Sequence, residues 1–207
     1  MQQLAIADLD LTAPTTEQWS ADRRGWAVFS HDGAMRYRLA RQLSYQLGAA
    51  ELEIRGGIVS GRRRVVWLML NPSTANAFVV DPTVQQCIQR ALAWGADVTE
   101  VVNLFAYRSP KPADLLRFAP GLRGDDARND QAILHACRGA YRVIAAWGRG
   151  GQLGQRAQHV CTLLELEGIQ LHHLGLTQDG YPKHPLARGK HRIPKDQPLA
   201  AFVGIAA

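Results

Sequence analysis

From Gly25 onward, short apolar runs alternate with amphipathic stretches, and that alternation predicts the fold class. Trp26 to Phe29 reads as a strand and His31-Asp32-Gly33 as a turn. Arg36 to Leu47 fits a strand or a helix, so the pattern leaves that segment open. Arg64 to Leu70 (RVVWLML) is an unbroken apolar run that stops at Asn71-Pro72, as in a strand buried on both faces of a parallel sheet. Thr83 to Trp94 places Val84, Cys87, Ile88, Ala91 and Leu92 at helical spacing and halts at Gly95. Further strands are predicted over Glu100 to Phe105, Tyr141 to Trp147 and Gly168 to Leu174, with helices over Asp126 to Cys137 and Gln155 to Leu166.

Strand and helix thus take turns, the pattern of an α/β protein. The expected architecture is a three-layer αβα sandwich around a central, mainly parallel sheet of four to five strands. Residues 1–24 are weakly patterned and are expected to lie peripheral to a single domain spanning residues 25–207. In an open parallel sheet the ligand crevice lies beyond the carboxyl ends of the strands. There the chain offers Asn71-Pro72-Ser73-Thr74-Ala75, then Ala106-Tyr107-Arg108-Ser109, then Gly148-Arg149-Gly150-Gly151, and last Gly175 to Leu186.

Composition narrows the class. Of 207 residues, 46% are hydrophobic and 20% charged, the balance of an ordinary globular protein. The apolar runs are too short to span a bilayer. Met1 to Pro14 lacks a basic start and carries Asp8 and Asp10, so no signal peptide is expected and the cytoplasm is the expected location. Cys87, Cys137 and Cys161 form no Cys-x-x-Cys pair and are expected to be reduced thiols, with no metal site and no cofactor. A net charge of +6 favours encounter with polyanions. It is concentrated in Arg62-Arg63-Arg64, read as a solvated patch, and in Lys183, Arg188, Lys190, His191, Arg192 and Lys195, read as phosphate contacts.

Two motifs carry candidate chemistry. Pro72 disfavours the helical region for its neighbour, so Asn71 is held extended and can present its side-chain carbonyl to a water. The backbone N–H groups of the small residues that follow can bind an anion or a carbonyl oxygen. In Lys183-His184-Pro185-Leu186, a histidine fixed ahead of a proline can donate a hydrogen bond to charge developing on a leaving group. Leu186 reads equally as an apolar wedge between bases or as a buried anchor of its loop. Asp81, ten positions after Asn71, is a candidate general base, but ahead of Pro82-Thr83 the favoured reading is a helix cap. The glycines from Gly148 to Gly154 do not make a dinucleotide-binding fingerprint, and Arg149 there reads as a phosphate contact.

The strand ending in Leu70-Asn71-Pro72, the Ile144-Ala145-Ala146-Trp147-Gly148 strand and the late His184-Pro185 loop together resemble the motifs of uracil-DNA glycosylases. Asp81-Pro82-Thr83, Val102-Asn103-Leu104-Phe105 and the Leu174 to Leu186 segment, added to these, are similar to a family known as domain of unknown function 1643. The combined resemblance covers Arg64 to Arg192. It implies hydrolysis of an N-glycosidic bond after base flipping, with DNA as partner and a monomer as the working unit. By motif position, Asn71 would orient the attacking water and His184 would stabilise the departing base. Asn103, Phe105, Phe78 and Ser73 would contact the base, and Thr74, Arg108, Arg149, Lys183, Leu186, Arg188, Lys190 and Arg192 the nucleic-acid strand. Two positions depart from the glycosylase pattern: Ser73 stands where a glycine is usual, and Leu186-Ala187 where a serine follows His-Pro. Nucleic-acid binding without catalysis, and hydrolysis of free nucleosides or nucleotides, are the alternative expectations.

Overall fold

A computed structural model describes residues 14–43, 52–55, 58–60, 63–111, 113–118 and 126–204. In chain order the strands are β1 (Thr15–Trp19), β2 (Gly25–Ser30), β3 (Arg36–Gln42), β4 (Ile54–Arg55), β5 (Ile58–Val59), β6 (Arg64–Met69), β7 (Val98–Asn103), β8 (Arg142–Ala145), β9 (Leu171–His173) and β10 (Ala200–Ala201). The helices are α1 (Pro82–Ala93), α2 (Ala113–Phe118), α3 (Asp126–Cys137) and α4 (Arg156–Leu166), with a 3₁₀ segment over Gly148–Gln155 leading into α4. The predicted core strands and helices are present, each within a few residues of its expected bounds, and the segment left open from Arg36 is a strand over Arg36–Gln42, with residues 44–47 outside the described residues.

The expected sheet is not. A mainly parallel sheet of four to five strands inside an αβα sandwich is overturned by an eight-stranded mixed sheet in the order β1-β2-β3-β7-β6-β8-β9-β10. The pairings β1–β2, β2–β3, β3–β7 and β9–β10 are antiparallel. Only β7–β6, β6–β8 and β8–β9 are parallel. Antiparallel pairings therefore outnumber parallel ones, and helix α3 packs across both parts, on β3 as well as on β7. The segment expected to be peripheral contributes the edge strand β1, while residues 1–13 lie outside the described residues.

The physical reason is legible in β3. Its sequence RYRLARQ carries three arginines, yet six of its seven residues are buried. The structure takes up that charge internally. Glu100 on β7, fully buried, receives Arg38 at 2.6 Å and Arg64 at 3.1 Å, and Arg64 also donates to the carbonyl of Arg138. Arg64, expected in a solvated patch, is thus part of a buried ion triad. Arg63 donates to the Trp94 carbonyl and lies over the Tyr141 ring, and Arg62 lies outside the described residues.

After Arg64, β6 is apolar because both its faces are covered. Val65, Trp67 and Met69 pack with Val84, Cys87 and Ala91 of α1. Val66 and Leu68 pack with Ile133 and Leu134 of α3 and with Ala157, Val160 and Leu164 of α4. Cys87 and Cys137 are buried and Cys161 half-buried, all three as free thiols. Among the described residues, no helix is long and apolar enough to cross a membrane.

Candidate functional site

The parallel strands β6, β7 and β8 end side by side, and the chain beyond them closes a cavity of about 420 Å³. After β6 and β7 the two segments keep pairing: Leu104 N–H donates to the Met69 carbonyl, Phe105 to Leu70 and Ser109 to Pro72. That extension brings Ser109 beside Asn71, and both line the cavity. The Asn71 amide nitrogen donates to the carbonyls of Ser109 at 2.9 Å and Pro72 at 3.1 Å. These two bonds engage the amide nitrogen and leave Oδ1 without a donor among the described residues.

Asp81 also lines the cavity and caps α1, its Oδ1 accepting from Val84 N–H at 2.8 Å. With φ −83° and ψ 167° it is extended, the usual backbone of a helix cap. The cap therefore occupies one carboxylate oxygen and leaves Oδ2 for other work. Thr83 and Val84 face the same space, so the first turn of α1 looks into it.

His184 enters from the far end of the sequence. Gly148, at φ +70°, turns the chain sharply after Trp147, and its N–H donates to the Pro182 carbonyl two residues before the histidine. Leu186 N–H donates to His184 Nδ1 at 3.2 Å. Nδ1 is thereby an acceptor, which places the proton of the neutral ring on Nε2. Burial pushes the His184 pKa below the ordinary histidine value, against the opposing pull of the Asp81 carboxylate. The ring is a neutral hydrogen-bond donor on the cavity wall.

Gly150 and Gly151 complete that wall by close approach. A Cβ on Gly150 would overlap the Leu70 side chain, and one on Gly151 would overlap the Trp147 indole. Leu70, Trp147 and Gly150 line the cavity, and Gly151 packs behind Trp147.

Sequence reasoning missed the most buried member. Arg36, at the start of β3, lines the cavity while only 1% exposed. Its Nη1 donates to the Ala75 carbonyl at 2.8 Å and its Nη2 to Asn103 Oδ1 at 3.2 Å, while Nε has no partner. Burial lowers its pKa to about 9, Asp81 partly offsets this, and Arg108 and Arg41 push it further down. The arginines of this stretch, which the pattern left open between strand and helix, gave no local signal that one of them would enter the cavity.

Among the residues singled out from sequence, Asn71, Ser73, Asp81 and His184 therefore share one cavity. The others do not line it. Asn103 is buried behind Arg36, and Phe105 packs into the core on the α3 side. Phe78 is 63% exposed on a turn where Phe78 and Val79 N–H both donate to Asn76 Oδ1. Thr74 is exposed. Arg108 lies over the Phe29 ring and donates to the Gly33 carbonyl, and Arg149 pairs with Asp179. Lys183 and Leu186 are half-buried, and Arg188, Lys190 and Arg192 are exposed. These last three lie on a segment that packs against α1, where Arg90 donates to the carbonyls of Ile193 and Pro194.

Fold and site together define a protein with a mixed eight-stranded sheet, flanking helices and a cavity at the carboxyl ends of its parallel strands. The family described as "Protein of unknown function (DUF1643)" matches residues 36–186, well over half of the chain, and the protein belongs to that family. No curated protein and no solved structure matches the chain.

Proposed function

We propose that this cavity hydrolyses the N-glycosidic bond of a damaged or modified base in DNA, in the manner of a distant relative of the uracil-DNA glycosylases. The observation that carries the reading is the convergence of Asn71 and Asp81, from the loop between β6 and α1, with His184, from a segment more than a hundred positions on, on one cavity of about 420 Å³. Asn71 Oδ1 holds the water that attacks the anomeric carbon. The carbon–nitrogen bond breaks, and its electron pair leaves with the base. His184 Nε2–H donates to the charge that develops there, and a neutral donor suits a leaving anion that is itself barely basic. The water proton passes to Asp81 Oδ2 and leaves with the released base.

The test is release of base from oligonucleotides carrying uracil, deaminated purines or modified pyrimidines, read as strand cleavage at the abasic sites. Asn71→Ala and His184→Ala are each expected to slow release by about a hundredfold or more, the usual contribution of a positioned acid–base group. No release from any member of that panel by folded protein would overturn the reading. A second reading, DNA binding without hydrolysis, draws on the exposed Arg188, Lys190 and Arg192 outside the cavity. It expects binding to survive both substitutions with no base released.

A further inference from the structure

A buried guanidinium needs an anion, and Arg36 has none in contact among the described residues. Its two carbonyl-type partners, Ala75 O and Asn103 Oδ1, satisfy hydrogen bonds without neutralising charge, and its Nε is buried without a partner. Contrast Arg38 and Arg64, which share the Glu100 carboxylate at 2.6 and 3.1 Å. Around Arg36 the charge balance runs the other way. Arg41 and Arg108 add positive potential, and the one carboxylate that acts on it is Asp81, which is not in salt-bridge contact and already caps α1. The first turn of α1 faces the same space through Thr83 and Val84, and a helix N-terminus favours negative charge. His184 adds a neutral N–H donor. Cation, helix terminus and ring donor all face one cavity, and each of them seeks an acceptor.

We infer that Arg36 makes the floor of this cavity an anion-accepting subsite, so that the bound ligand presents a negatively charged group there. That deepens the proposed function and rests on its assignment of this cavity as the substrate site. The anion has two chemically equivalent sources, a phosphoryl group of the substrate or the deprotonated ring of the departing base. Inorganic phosphate and 5-nitrouracil represent them; the second ionises readily, and its neutral and anionic forms absorb differently.

Binding of each probe to the full-length protein is measured by calorimetry, with 5-nitrouracil also followed by absorbance, in constant chloride. At least one probe is expected to bind as the anion. Arg36→Met is expected to weaken that binding about tenfold or more, the loss of one charged hydrogen-bonding partner. Asp81→Asn is expected to tighten it several-fold by removing the competing negative charge. The latter variant keeps the proposal testable if Arg36→Met does not fold. Phosphate binding alone assigns the subsite to a phosphoryl group, and nitrouracil binding with a spectral shift to its anion assigns it to the base. If neither probe binds wild-type or Asp81→Asn protein, or a folded Arg36→Met binds as tightly as wild type, the subsite is refuted. Base release run in parallel separates the two claims. Anion binding with no release from any oligonucleotide leaves the subsite standing and removes the glycosylase reading; release with no anion binding does the reverse.

Discussion

At neutral pH the His184 ring is uncharged because burial disfavours its cation, and its proton sits on Nε2 because Nδ1 is occupied by Leu186 N–H. That combination has a consequence for stability. Burial likewise lowers the pKa values of His135 and His173. The folded state binds fewer protons than the unfolded chain below the ordinary histidine value of 6.5. The stability these residues contribute is therefore complete above pH 6.5 and is lost as the pH falls through their folded pKa values. Urea midpoints measured downward from that pH are expected to drop, and His184→Gln is expected to flatten the drop partly, with His135 and His173 supplying the remainder. An unchanged slope in His184→Gln would mean that the ring does not titrate with folding.

Single elements show where charge substitutes for hydrophobicity. β3 holds its place through arginines: Arg38 on Glu100, Arg36 on the Ala75 carbonyl, and Arg41 on the carbonyls of Asn76 and Val79. Arg36 and Arg41 thereby clamp the loop between β6 and α1 that carries Asn71 and Asp81 into the cavity. Breaking a buried ion pair costs about 3–5 kcal/mol because the surviving charge is stranded. Glu100→Gln is expected to show a loss of that size in urea unfolding, whereas a change under about 1 kcal/mol would mean that the triad is structurally dispensable. The 3₁₀ segment after β8 depends on the opposite property, absence of a side chain. Gly151→Ala is expected to cost about 1–3 kcal/mol by overpacking against Trp147 and to impair ligand binding beyond that loss. Helix α1 was readable from its apolar spacing and strand β6 from an unbroken apolar run. β3 was not, because alternation of charge and apolar residues reads as exposure unless the partners are known.

For the whole molecule, a charge of +6 counts only through its location. Several arginines are spent inside: Arg36, Arg38, Arg41, Arg64, Arg90 and Arg156 are buried. The cations free to meet a strand are fewer, with Arg188, Lys190 and Arg192 on the segment held against α1. If DNA is the partner, replacing these three with alanine is expected to reduce the slope of log affinity against log salt by about two to three, close to one per phosphate contact. A slope that stays the same would place the strand on another face. The mixed sheet has its own logic at this scale. The parallel strands β7-β6-β8-β9 carry the cavity, and the antiparallel β1-β2-β3 ribbon extends the sheet beside β7, delivering Arg36 to the cavity floor.

The local apolar pattern determined the buried strands β6, β7 and β8, the helices α1, α3 and α4, and the strand ends where chemistry gathers, since burial on two faces leaves a run and burial of one stripe leaves a spacing. The motifs around Asn71, Asp81 and His184 were equally local, each a turn or cap written in neighbouring residues. Only the tertiary structure decided the antiparallel half of the sheet, the internal use of the arginines and the entry of Arg36 into the cavity. Those outcomes depend on partners such as Glu100 and Ala75, more than thirty positions away from Arg36 or Arg38, and a charge far from its counterpart in the chain looks the same whether it ends in water or in the core.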